Sequence, residues 1–77
     1  MNIASMQNYT MLARHIDNSG KRTTLALEKA YWQLIDSQAQ AAGRTWQGWA
    51  SEALEGRPAD VGKARWLRVK LLDKVSR

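Results

Sequence analysis

The side chains best suited to recognition chemistry alternate along one short stretch, Arg22 to Leu27. Residues 22, 24 and 26 would share one face of a β-strand, and residues 23, 25 and 27 would share the other. The first face carries a guanidinium and a hydroxyl, which donate hydrogen bonds, and the second carries two leucines. The pattern predicts a strand with one buried face and one face free to bind a partner.

Catalytic chemistry has little support in the sequence. The 77 residues suffice for one small domain and include no cysteine and a single histidine, His15. No nucleophile–base spacing, Gly-rich phosphate loop or metal-ligand cluster is present. Glu52 and Glu55 resemble the solvated face of a short helix more than an acid–base pair. We therefore expect no enzyme, no cofactor and no metal site.

The net charge of +5 is concentrated at one end of the chain. Residues 1–56 carry five basic and five acidic side chains, whereas residues 57–77 carry seven basic and two acidic ones. Such a balance suits a polyanionic partner, most often nucleic acid. The alternative is a solvated helix face that keeps a small protein soluble.

Targeting and membrane signals are not evident. No apolar run approaches the roughly 20 residues of a membrane span, and the first twelve residues lack the pattern of a signal peptide. We expect a soluble, cytoplasmic protein.

The elements that would hold the polar face follow in a simple order. Tyr9–Ile16 alternates weakly and could form a first strand, Asp17–Lys21 has the composition of a turn, and Arg22–Leu27 is the clearer strand. Three helices are expected after it. The first runs from about Glu28 to Ala42 with Gly43 as its left-handed cap, and the second from about Trp46 to Glu55 with Thr45 as N-cap. The third begins near Pro58 and is most clearly helical after Gly62. Gly48 inside the second helix suggests a close backbone approach.

The third helix is amphipathic. Its predicted apolar stripe includes Leu67, Leu71 and Leu72, and its lysines lie on an opposing side.

A short strand needs a partner, because its backbone groups must be hydrogen-bonded. It could pair with Tyr9–Ile16 in a hairpin, or with itself across a two-fold axis in a dimer. The dimer explains more of the pattern, because the leucines of two chains would then lie on two pairs of helices. A two-stranded ribbon with a polar face also fits the major groove of DNA.

The stretch "RTTLALEKAYWQLIDSQAQAAGRTWQGWASEAL" resembles the ribbon-helix-helix fold of bacterial and phage DNA-binding proteins. The order and spacing of strand, helix, Gly-x-Thr turn and helix carry the resemblance. It implies a mainly α fold with one short β-strand, an intertwined homodimer and an added C-terminal helix. Residues 1–19 would be an N-terminal arm, residues 20–56 the core, and residues 57–77 a basic amphipathic helix.

The resemblance also assigns roles to residues. Base contacts fall to Arg22, Thr24 and Ala26. Phosphate contacts are expected around the strand and the second helix from Lys21, Arg44, Thr45 and Trp46. The basic third helix either packs on the core or adds phosphate contacts through Lys63, Lys70 and Lys74. The dimer core would consist of Leu25, Leu27, Tyr31, Ile35, Trp49 and Ala53. Arg44 stands where the family usually has an apolar residue, so it either alters the turn or adds a phosphate contact.

Two functions of different classes follow. The first is a homodimeric DNA-binding protein, a transcriptional repressor that inserts its ribbon in the major groove. The second is an antitoxin or a small phage-borne inhibitor, in which Trp66, Leu67 and Leu71 of the third helix dock on a protein partner.

Overall fold

Two strands followed by three helices make up the chain. The computed structural model describes residues 9–18 and 20–75. The elements are β1 (Met11–Asn18), β2 (Lys21–Glu28), α1 (Lys29–Ala41), α2 (Trp46–Leu54) and α3 (Lys63–Val75). Residues 1–8 of the expected N-terminal arm lie outside the described residues.

The two strands form an antiparallel hairpin within one chain. Leu12 lies opposite Leu27, and His15 lies opposite Thr24. Two residues separate the strands, and the second of them, Gly20, has φ +77°. Tight hairpin turns favour glycine where φ is positive. The side chains of residues 12, 14, 16, 23, 25 and 27 thus share the face toward the helices, and the other face is directed outward.

The hairpin corrects two sequence-based expectations. The fold has two strands of eight residues rather than one short strand, and β2 pairs with β1 rather than needing a second copy. The alternation in β1 is weak because Arg14 occupies an inward position where an apolar residue would be expected. Its guanidinium is paired there with Asp36 at 2.8 Å. The N-terminal region expected as an arm therefore supplies half of the ribbon.

One hydrophobic core draws on all five elements of the chain. Its buried residues come from every element: Ile16, Leu25, Leu27, Trp32, Ile35, Ala39, Trp49, Ala50, Leu54, Leu67 and Leu71. Of the six residues expected in a dimer core, Leu25, Leu27, Ile35 and Trp49 belong to this set, while Tyr31 and Ala53 are partly buried against it. The six residues therefore pack in or against the core of one chain, and their role between two chains stays a prediction.

The helix ends follow the local sequence signals. Gly43 after α1 has φ +67°, as expected of a left-handed cap. Thr45 caps α2, which ends one residue earlier than predicted. Helix α3 begins directly after Gly62.

Helix α3 packs on the core of its own chain. Leu67 and Leu71 are both 0% exposed, and the indole Nε1 of Trp66 donates to the carbonyl of Ala53 in α2 at 2.7 Å. Leu72, predicted on the same apolar stripe, is 56% exposed. One residue along a helix turns the side chain by about 100°, so Leu72 falls beyond the narrow stripe that faces the core.

Candidate nucleic-acid interface

The three predicted base-contact residues lie together on the outward face of the ribbon. Arg22, Thr24 and Ala26 are all exposed. They lie opposite Asp17, His15 and Ala13 of β1, which are also exposed. Within the described part of the chain, Arg22 forms no ion pair. Its guanidinium is therefore free to donate to a ligand.

Residue His15 was not predicted to belong to this face. Its Nδ1 lies 2.9 Å from the hydroxyl of Thr24, within hydrogen-bond distance. The alternation of Tyr9–Ile16 contained the signal, since it would put His15 on the face that pairs with Thr24. Sequence reasoning missed it because β1 was only one of two possible partners for the clearer strand.

The start of α2 provides backbone donors. The hydroxyl of Thr45 accepts from the N–H of Gly48 at 3.1 Å, and the first regular helical bond runs from Trp49 N to Thr45 O. The N–H groups of Trp46 and Gln47 precede that bond and point away from the helix, where they can donate to an anion. A Cβ on Gly48 would lie only 3.2 Å from the Thr45 hydroxyl, so the side chain of the N-cap, rather than another stretch of backbone, is what lies close to this glycine.

A cluster of stacked side chains joins the ribbon to this helix start. Arg14 of β1 donates two hydrogen bonds to Asp36 of α1, at 2.8 and 3.0 Å. Its guanidinium stacks over Trp32 at 4.6 Å and over Trp46 at 5.0 Å, and the two indoles meet edge to face. The hydrogen bonds to Asp36 raise the pKa of Arg14 further above its ordinary high value.

This cluster fixes the position of α2 relative to the ribbon. Nε1 of Trp32, which is 1% exposed, also donates to the carbonyl of Leu12 in β1 at 2.7 Å. Trp46 is the first residue of α2 and is half-buried in the cluster. Because its ring packs against Trp32 and Arg14, the backbone N–H is the group of Trp46 best placed for the predicted phosphate contact.

Arg44 acts within the turn between α1 and α2. Its guanidinium pairs with Glu52 and donates to the carbonyl of Gly48 at 3.1 Å. The turn thus accommodates an arginine where the sequence resemblance expects an apolar residue. Its charge is already balanced by a carboxylate of α2.

The ribbon face and the start of α2 meet at one surface. A shallow cavity of about 260 Å³ is lined by His15, Asp17 and Arg22 of the ribbon and by Gln47 of α2. A ligand in contact with Arg22 there would also reach the first turn of α2.

The lysines of α3 lie elsewhere. Lys70 and Lys74 line a second cavity, of about 340 Å³, together with Arg44 and the acidic Glu52 and Glu55. Lys70 stacks over Trp66 at 4.9 Å, and Lys63 is half-buried at the helix start. The structure therefore brings Lys70 and Lys74 close to Arg44 but into a different cavity from Arg22.

Other kinds of site find no support in the described residues. None of the helices there is long and apolar enough to cross a membrane. No group of three His, Cys, Asp or Glu in residues 9–18 and 20–75 could hold a metal ion.

Comparison with known proteins identifies the family. The sequence-family model of the ribbon-helix-helix domain matches residues 11–75. The chain therefore belongs to the ribbon-helix-helix family. Domains of this class are typically non-enzymatic, bind DNA and usually dimerise. The match begins at the first residue of β1, so it includes the hairpin.

One solved structure has the same fold. An uncharacterized protein from Bordetella pertussis Tohama I superimposes with a TM-score of 0.78 at 21% sequence identity. The match covers 92% of this chain and 60% of that protein, so this chain spans about three fifths of its length. No curated protein sequence matches the chain significantly.

Proposed function

We propose that this chain is a sequence-specific DNA-binding regulator that reads the major groove with the outward face of its ribbon. The observation that carries the proposal is the cavity that Arg22 shares with Gln47. Arg22 is the residue suited to a base edge, and the first turn of α2 offers backbone donors to the neighbouring phosphate. One surface thus combines a group for specificity with a group for positioning.

The residues have distinct roles in this proposal. The guanidinium of Arg22 donates to the two acceptors of a guanine, the hydroxyl of Thr24 bonds a base edge, and Ala26 contacts a thymine methyl. Lys21 at the turn and the N–H groups after Thr45 contact phosphates. Lys63, Lys70 and Lys74 add electrostatic attraction at longer range, whereas Arg44 adds little because it is paired with Glu52.

We also propose that the protein acts as a homodimer. The exposed apolar side chains outside the core of the single chain offer a pairing surface. The large apolar side chains exposed among the described residues are Tyr9, Met11, Leu12, Val69 and Leu72. Met11 lies opposite Glu28 in the ribbon. Glu28 accepts a hydrogen bond from Arg68 of α3, which lies one helical turn before Leu72. Tyr9, Met11 and Leu12 thus lie at the open end of the ribbon, away from the turn and Arg22, and the Glu28–Arg68 contact joins α3 to that end.

A dimer of this kind suits a transcriptional repressor. Two ribbons related by a two-fold axis would read two half-sites of a palindromic operator. That role implies a cytoplasmic location in a bacterial or phage-infected cell.

The alternative function, docking of α3 on a protein partner, loses its main residues. Leu67 and Leu71 are buried against the chain's own core, and the indole of Trp66 is bonded to Ala53. An antitoxin or inhibitor role would have to use other residues of α3.

The test compares two arginines. A cognate site is first selected from random DNA, and gel-shift titrations are then run with the parent, Arg22→Ala and Arg65→Ala. Arg65 is exposed on α3, so its loss removes the same charge away from the ribbon. We expect Arg22→Ala to lose about 1–3 kcal/mol of preference for the cognate site over random DNA. Arg65→Ala should keep that preference.

Two outcomes contradict the proposal. The first is a parent protein that selects no DNA sequence. The second is an Arg22→Ala variant with the preference of the parent, which would mean that the ribbon does not read bases.

A further inference from the structure

The outward face of the ribbon contains three β1 residues that the roles above leave unused. Ala13, His15 and Asp17 lie directly opposite Ala26, Thr24 and Arg22. Neighbouring strands lie about 4.8 Å apart, whereas the major groove is about 12 Å wide. Both strands of one hairpin therefore fit in the groove together, and side chains of β1 reach the same depth as those of β2.

The His15 ring is in contact with Thr24, which directs Nδ1 toward the hydroxyl. Nδ1 of the ring lies 2.9 Å from the Thr24 hydroxyl, and both side chains are exposed. Nδ1 accepts from the hydroxyl when the ring proton is on Nε2, and it donates to the hydroxyl oxygen when the proton is on Nδ1 or the ring carries both protons. In the two forms with a proton on Nε2, that N–H is a donor that is not used by Thr24, and these are the forms that the inference requires.

We propose that His15, oriented by Thr24, is a specificity-determining residue that donates from Nε2 to an acceptor on a purine in the major groove. The inference rests on the proposed function and deepens it. Purine N7, and O6 of guanine, are acceptors on that groove edge. Side chains of both strands then contact base edges, and His15 lies beside the base that Arg22 contacts.

The test measures base preference position by position. DNA is selected from a random pool by the parent, His15→Ala, His15→Gln and Thr24→Ala, with Gln33→Ala as the control. Gln33 is exposed on α1 and lies outside the ribbon. Thermal unfolding of each variant is recorded in parallel, to separate a loss of contact from a loss of fold.

We expect His15→Ala to lower the preference at one position of each half-site by roughly threefold to tenfold, the value of one neutral hydrogen bond. Its unfolding temperature should match that of the parent, since the side chain is exposed. His15→Gln, which keeps an amide donor, should retain or change the preferred base at that position alone. Thr24→Ala should weaken the preference there too, because the ring is no longer held.

The outcomes separate this inference from the proposed function. If the parent selects a sequence and His15→Ala selects the same sequence with equal preference at every position, the inference is overturned and the function stands. If His15→Ala weakens all positions equally, His15 contributes only general attraction and the inference is again overturned. If the parent selects no sequence, both fall together.

Discussion

The replacement of Leu71 by alanine tests how α3 is attached to the rest of the chain. Leu71 is 0% exposed, and the next residue, Leu72, is 56% exposed. The two leucines are neighbours in the sequence and identical in type, and they differ in burial. Truncation of a buried leucine costs about 2–5 kcal/mol, because the lost apolar contacts are not fully replaced. Truncation of an exposed leucine usually changes stability by less than about 0.5 kcal/mol.

The expected loss of unfolding free energy in Leu71→Ala is large relative to the total stability of the protein. A domain of this size is stable by about 4–12 kcal/mol. Leu71→Ala should therefore remove at least about a sixth of that stability, and near half at the middle of both ranges, and lower the unfolding temperature by roughly 10 °C or more. The denaturant slope should stay near that of the parent, because the same surface is exposed on unfolding.

The assay is urea unfolding followed by circular dichroism, at a low and a much higher protein concentration. At low concentration Leu71→Ala should be much less stable than the parent, and Leu72→Ala should equal it. At high concentration the parent should gain stability from dimerisation, and Leu72→Ala should gain less. A Leu71→Ala variant within about 1 kcal/mol of the parent, or an equally large loss from Leu72→Ala at low concentration, would refute the packing of α3 described here.

Three further predictions concern charge and assembly. Replacing Lys63, Lys70 and Lys74 together by glutamine should weaken binding to all DNA sequences alike. The slope of log affinity against log salt concentration should become less steep by about one unit per lost phosphate contact. An unchanged slope would exclude α3 from DNA binding. Sedimentation of the parent should give twice the chain mass of 8.7 kDa, and a folded species with the mass of one chain at every concentration would contradict the dimer. The hydrogen bond from Arg68 lowers the pKa of Glu28 below its ordinary value of 4.5, so the ion pair stabilises the fold above that value and its contribution is lost as the pH falls through the lowered pKa. Unfolding of Glu28→Gln should therefore depend less on pH in that acid range than unfolding of the parent, and an equal dependence would contradict the assignment.

The local sequence was sufficient to predict the helices and their ends. Gly43 and Thr45 mark the turn between α1 and α2, because a left-handed cap and a hydroxyl N-cap depend only on nearby residues. The alternation from Arg22 to Leu27 likewise predicted which side chains of β2 face outward. These features are local, so neighbouring residues determine them.

Residues far apart in sequence decided the rest. The backbone groups of β2 can bond any extended strand, so only the tertiary structure selects β1 of the same chain over a second copy. An apolar stripe on α3 predicts that the helix is covered but not by what, and the structure shows that the core of the same chain covers it. The same is true of Arg14. Its inward position weakens the strand pattern, and it is tolerated because Asp36 and two tryptophans meet it in space.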